Sequence, residues 1–197
     1  PAESQILTAL KRIAEAYPDA VVPVTSQLTT YLEQDSDSHR IGAIAVLGTV
    51  SKDYPHIAEE TIPTATELLD AENHMLRANA AGLLADLSDE YPEKVRSSVS
   101  RVIELLDDDD EKVRYNATSI LSRVAKQYPE DVEPAIPSLI DTLDDDFEYS
   151  RGNACWALGY LAAESAVETL RERKQSDPDE EVRAVAEQAI QMIEDGS

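Results

Sequence analysis

The chain has 197 residues, of which 42% are apolar, enough to bury a core of one or two ordinary domains. Forty acidic residues oppose 17 basic ones, a net charge of −23, so unaided binding to nucleic-acid phosphates or to anionic membrane surfaces is disfavoured. A single cysteine, Cys155, excludes an intrachain disulfide, and no apolar run reaches the length that spans a membrane.

In chain order, residues 4–16 read as one helix with Leu10 and Ile13 inward. Tyr17-Pro18 ends it, and Tyr-Pro then returns at Tyr54-Pro55, Tyr91-Pro92 and Tyr128-Pro129, each 37 residues after the last. Arg40, Arg77, Arg114 and Arg151 keep the same spacing. Three residues after each Arg stands Ala (Ala43, Ala80, Ala117, Ala154), and seven after stands Leu (Leu47, Leu84, Leu121, Leu158). Ten after stands Val50, Leu87, Val124 or Leu161, so the three offsets mark one face of an α-helix.

Each unit therefore predicts two helices. The first starts at the Tyr-Pro, with Pro in its first turn. In the unit that opens at Tyr128-Pro129 it is expected over residues 130–143, with Ile136, Leu139, Ile140 and Leu143 inward and an interior Pro137 that bends it, as Pro63 does two units earlier. An acidic turn follows, such as Asp107 to Asp110 or Asp144 to Asp146, whose carboxylates suit the free N–H groups of the next helix. The second helix, residues 112–127 in one unit, runs to the next Tyr-Pro. The units fall at about 1–17 (a half repeat), 18–54, 55–91, 92–128, 129–164 and a shortened 165–197, whose Arg column arrives at Arg183, 32 residues after Arg151. The half repeat without its first helix suggests a truncation or a preceding segment, and the last helix, ending at Gly196, reads as a cap.

The strings Asp110-Glu-Lys-Val-Arg-Tyr-Asn-Ala117 and Asp179-Glu-Glu-Val-Arg-Ala-Val-Ala186, with the Pro of the first helix and the stretch Trp156-Ala-Leu-Gly159, resemble the HEAT-repeat family. The resemblance covers nearly the whole chain. It implies an all-α fold, a right-handed α-α superhelix (a HEAT-like solenoid, related to armadillo repeats) of about five helix pairs in a single domain over residues 1–197. It also implies that second helices line a concave surface and that the protein is a binding scaffold.

On that surface the exposed stripe is expected 2, 5, 9 and 12 residues after each Arg. The first of these columns carries Asn79, Asn116 and Asn153. Asn is a poor helix former, so its recurrence asks for a reason. One reason is that the amides grip the backbone of an extended peptide, as related armadillo repeats do; the other is that each bonds a neighbouring acidic turn. The recurring Arg has a plainer explanation in pairing with those turns. Trp156 and Tyr160 share a helix face, with Tyr115 and Tyr149 nearby, Arg123 in the Tyr160 column, and Gly82 and Gly152 leaving room. Aromatic side chains of this kind anchor partners; alternatively Trp156 seals the shortened last repeat.

Searches for chemistry end without a site. His39, His56 and His74 are each followed by a residue other than Glu, so the His-Glu pairs of iron-binding HEAT hydroxylases are absent. Asp107 to Asp110 lacks the Gly and closing Glu of a calcium loop. No cofactor or metal is expected, and Cys155 reads as a buried spectator. The acids, 19 Asp and 21 Glu, are spread over the chain, and Arg outnumbers Lys 11 to six. This fits either a basic protein partner or a surface adapted to concentrated salt, resembling proteins of halophilic archaea. The expectation is a non-enzymatic, cytoplasmic scaffold for a protein or peptide, without direct nucleic-acid contact. A structural part of an adaptor or chromosome-organising assembly is the alternative, and a lyase-like HEAT protein a third.

Overall fold

A computed structural model of the chain describes residues 2–196. Every regular element among the described residues is helical. The chain clusters into two compact units, Pro1–Tyr91 and Pro92–Ser197, divided at one of the predicted repeat junctions.

The first unit holds α1 (Ala2–Ala16), α2 (Pro18–Val21), α3 (Thr25–Leu32), α4 (Asp37–Ser51), α5 (Ile62–Leu68) and α6 (His74–Leu87). The second holds α7 (Pro92–Val95), α8 (Val99–Glu104), α9 (Glu111–Ala125), α10 (Pro129–Val132), α11 (Ile136–Thr142), α12 (Glu148–Tyr160), α13 (Val167–Ser176) and α14 (Glu180–Gly196). In the first unit α1 and α6 both pack on α4; in the second α9 and α14 both pack on α12. These are the second helices of the repeats. The first helices lie against them, α3 on α4, α5 on α6, α8 on α9, α11 on α12 and α13 on α14.

The first helices are not single bent rods. The stretch expected as one helix over residues 130–143 is α10, a 3-10 turn Glu133–Ala135, and then α11. Three prolines account for the breaks. Pro129 opens α10, Pro134 sits in the 3-10 turn, and Pro137 falls in the first turn of α11, where its missing N–H has no intrahelical partner to lose. Where the column carries a hydroxyl, the side chain takes the carbonyl at the break: Ser98 Oγ donates to Val95 O at 2.7 Å, and Thr61 Oγ1 donates to Ala58 O. The tyrosine before the opening proline leaves the helical region, which proline's ring disfavours, with φ −145° at Tyr17, −132° at Tyr54 and −133° at Tyr128. At Tyr54 and Tyr128 the ring then reaches back to the start of its own unit. Tyr54 donates to Asp19 at 2.8 Å, and the Arg96 guanidinium lies 4.2 Å above the Tyr128 ring.

The inward columns of the second helices are buried as the periodicity predicts, whereas in the stretch 130–143 Leu139 and Leu143 are buried but Ile136 and Ile140 only half-buried. Ala43, Ala80, Ala117 and Ala154, and Leu47, Leu84, Leu121 and Leu158, are all fully buried. Two corrections stand beside them. Leu161 is only half-buried, because α12 ends one residue earlier and the chain turns away. Leu10 is half-buried and Ile13 is 43% exposed; α1 buries Leu7 and Ala14 instead, on the side that meets α4. The stem at that meeting is tight, since a Cβ at Gly42 would lie 2.8 Å from Leu7 Cβ.

The acidic turns do cap the second helices. Asp110 Oδ1 accepts from Lys112 N, and Asp179 Oδ1 from Val182 N. The arginine column binds the same turns. Arg77 donates to the carbonyls of Ala71 and Glu72, Arg114 to Asp108 O, Arg151 to Asp145 O and Asp146 O, and Arg183 to Asp177 O and Pro178 O. Arg114 and Arg151 also reach the next turn forward, where Asp145 and Asp177 accept from their Nε at 2.6 and 2.8 Å.

Candidate functional site

The second unit assembles most of the residues singled out above. α12 carries Asn153, Trp156 and Tyr160 on one face, and Trp156 stacks on Tyr160 with ring centroids 5.9 Å apart and planes 19° from parallel. Tyr115, on α9, meets Phe147 and Tyr149 edge-on, at 5.7 and 6.1 Å between centroids. Phe147 and Tyr149 contact each other at 5.1 Å. Tyr149 is 55% exposed, whereas Tyr115, Trp156 and Tyr160 are half-buried. Most of the expected exposed stripe is thus half-buried, with Ser119 and Ala163 in it buried and Lys52, Asp86, Asp89 and Lys126 exposed.

A pocket of about 120 Å³ opens between α12 and the start of α14. Glu148, Asn153 and Trp156 line it from α12, and Glu181, Val182 and Val185 from α14. Gly152 lies in the same wall and leaves it open, since a Cβ there would touch nothing within 4 Å. The pocket was partly legible in sequence. Trp156 and Asn153 fall in the expected columns, and Gly152 and Tyr149 were singled out beside them, while Glu148, Glu181, Val182 and Val185 were missed. Their only sequence signal is place in the repeat, three residues before Arg151 or around Arg183, where an acid reads equally well as a helix cap.

The remaining candidates lie apart. Asn79 is on α6 in the first unit, where its Nδ2 donates to Met75 O of its own helix at 2.8 Å. That bond is neither a grip on a partner nor a tie to a neighbouring turn. Asn116 and Arg123 are half-buried on α9.

The C-terminal end of the second unit is held by a buried ion pair. Asp177 accepts from Arg151 Nε and Nη2, both at 2.8 Å, and the two side chains are 0% and 8% exposed. Burial alone would raise the Asp177 pKa; the Arg151 hydrogen bonds, the Asp179 N–H and the nearby guanidinium charges outweigh it, so the carboxyl stays below its ordinary value. Burial pushes the neighbouring Cys155 thiol up to about 12, which leaves no thiolate for chemistry at neutral pH. Two carboxylates of the Asp107 to Asp110 turn are spent on backbone N–H groups, Asp108 on Asp110 N and Asp110 on Lys112 N. Among the described residues no group of three or more His, Cys, Asp or Glu side chains is placed to hold a metal ion. Nor, among them, is any helix long and apolar enough to cross a membrane.

The chain matches the family described as Adaptin N terminal region over residues 6–193. It belongs to that family. Solved structures resemble this member of the Adaptin N terminal region family over almost its full length. A designed armadillo repeat protein in complex with the peptide (KR)4 aligns with a TM-score of 0.84 at 21% identity, covering 95% of this chain and 91% of that one. An engineered protein, Northeast Structural Genomics Consortium Target OR329, aligns with a TM-score of 0.87 at 20% identity, covering 98% and 91%. A further designed armadillo repeat protein aligns with a TM-score of 0.82 at 23% identity, covering 96% and 92%. At these identities the likeness shows the fold, an α-solenoid of HEAT or armadillo type. No curated protein matches the chain.

Proposed function

We propose that this Adaptin N terminal region protein is a non-enzymatic interaction scaffold that holds a peptide or helix along the second helices α9, α12 and α14. Asn116, Asn153, Trp156 and Tyr160 form the centre of the binding stripe, flanked by Tyr115 and Arg123. The observation that carries this reading is the open pocket beside Trp156, in which an aromatic ring, an amide and two valines converge on solvent. A scaffold with no partner to anchor has no need of a half-buried Trp in a pocket kept open by Gly152. The likeness to a designed armadillo protein solved with a bound peptide supports the same use of the fold.

The test is affinity capture from native extract with the wild type and with Trp156→Ala/Asn116→Ala. The double variant should lose the captured partner at least about 30-fold while keeping its helical circular dichroism and cooperative melting. Equal recovery by a folded double variant sinks the reading. A second reading, that the chain is a structural segment of a larger adaptor-type assembly, is favoured by the family match itself. It expects the endogenous protein to co-purify in fixed stoichiometry with other subunits, and to do so unchanged in the double variant.

A further inference from the structure

An acidic turn precedes each of α4, α6, α9, α12 and α14, so acidity alone marks no site. The pocket between α12 and α14 differs in combining carboxylates with an aromatic wall and a cavity. Glu148 and Glu181 lie at its walls with Trp156, Asn153 and Val185, and no basic side chain lines it. Among the described residues neither glutamate is in an ion pair. Arg151, whose charge senses Glu148, has its donors committed to Asp177 and to the carbonyls of Asp145 and Asp146. Two carboxylates outside any ion pair, beside an indole in a concave pocket, make a local field that favours a cation.

We propose that this pocket receives the guanidinium of an arginine carried on a basic segment of the partner. The inference rests on the groove reading above and names the chemistry that the groove selects. An arginine fits on three counts. Its planar, weakly hydrated head can lie along the Trp156 indole while its N–H groups meet Glu148 and Glu181. Its apolar stem matches Val182 and Val185. The volume, about 120 Å³, is the room of roughly four waters, suited to one side-chain head rather than to a folded cofactor. Lysine, compact and strongly hydrated, gains less from the indole face and cannot span both carboxylates. The net charge of −23 draws such a segment in from a distance, and the pocket decides which residue docks.

Trp156 is the only tryptophan in the chain, so its fluorescence reports on the pocket directly. The probes are fluorescein-labelled (Gly-Ser-Arg)3 and its lysine and glutamine counterparts, titrated at low salt and followed by anisotropy, with unlabelled peptides used for Trp156 fluorescence. The arginine peptide should bind tightest, perturb Trp156 emission and weaken as salt rises; the glutamine peptide should not bind. Glu148→Gln/Glu181→Gln should weaken the arginine peptide roughly tenfold without changing the melting temperature. The control Glu133→Gln/Glu172→Gln removes the same charge from exposed positions outside the pocket and should leave binding unchanged. Trp156→Phe retains a packed ring and should weaken binding by a smaller factor. Equal binding of the glutamine peptide, or equal weakening by the control pair, overturns the proposal. If Trp156→Ala/Asn116→Ala loses the native partner while Glu148→Gln/Glu181→Gln keeps the arginine peptide, the groove stands and the arginine anchor falls. If neither pair changes binding, both fall.

Discussion

The arginine column shows how much a single residue does in this repeat. At Arg114 and Arg151 one guanidinium ties the carbonyls of its own turn and an aspartate of the next, so the column is structural. The pattern also explains its exception. The aspartate partnering Arg114 lies 31 residues on, at Asp145; the position 31 residues after Arg40 is Ala71, and Arg40 Nε is buried without a hydrogen-bond partner. At the other end, Asp177→Ala would strand Arg151 in the core. We expect it to cost about 3–5 kcal/mol, read as the shift in denaturation midpoint of the purified protein. The same pair gives a pH dependence with a definite sign. The Asp177 pKa is depressed in the folded state, so its contribution is complete above the unfolded aspartate value of about 3.9 and is lost as pH falls through the lower, native value. The wild type should therefore lose more stability than Asp177→Asn on acidification below about pH 4, and parallel acid melts of the two would contradict this.

At the scale of elements, the shortening of the last repeat is made by one turn. α12 closes with Ala163 N donating to Leu158 O and Ala162 N to Gly159 O, the two bonds of a Schellman cap, and Ala162 takes φ 47°. That left-handed conformation normally calls for glycine. Ala162→Gly should thus raise stability by about 0.5 kcal/mol, the relief of strain less the added freedom of the unfolded chain, measurable as a small rise in melting temperature. A fall instead would mean that the alanine methyl is doing packing work at this turn. α12 then approaches α14 so closely that a Cβ on Gly159 would lie 3.1 Å from Ala189 Cα. The repeat count and helix order were legible in sequence because periodic Ala and Leu columns can be satisfied only by stacked helices. The breaks in the first helices were not, because a proline reads the same whether it bends a helix or begins one. Only the helix limits show which, with Pro63 in the first turn of α5 and Pro137 in that of α11.

At the scale of the molecule the dominant quantity is charge. Forty acidic residues outnumber 17 basic ones, so self-repulsion at low salt opposes the folded state. The screening length shortens from about 10 Å at 0.1 M to about 3 Å at 1 M salt. The melting temperature should accordingly rise by several degrees between 0.1 and 2 M KCl, and a flat profile would show that the acids are placed too far apart to repel. The sequence by itself determined the 37-residue period, the buried Ala and Leu columns, the capping turns and the charge, since each follows from residue type and spacing along one chain. Which acids are spent on backbone N–H groups or guanidinium and which stay unpaired was decided only by tertiary structure. The same holds for the pocket at Trp156, whose two walls come from helices 20 or more residues apart in sequence. Residues such as Glu148 and Asp110 look alike in sequence, and their neighbours in space set their roles.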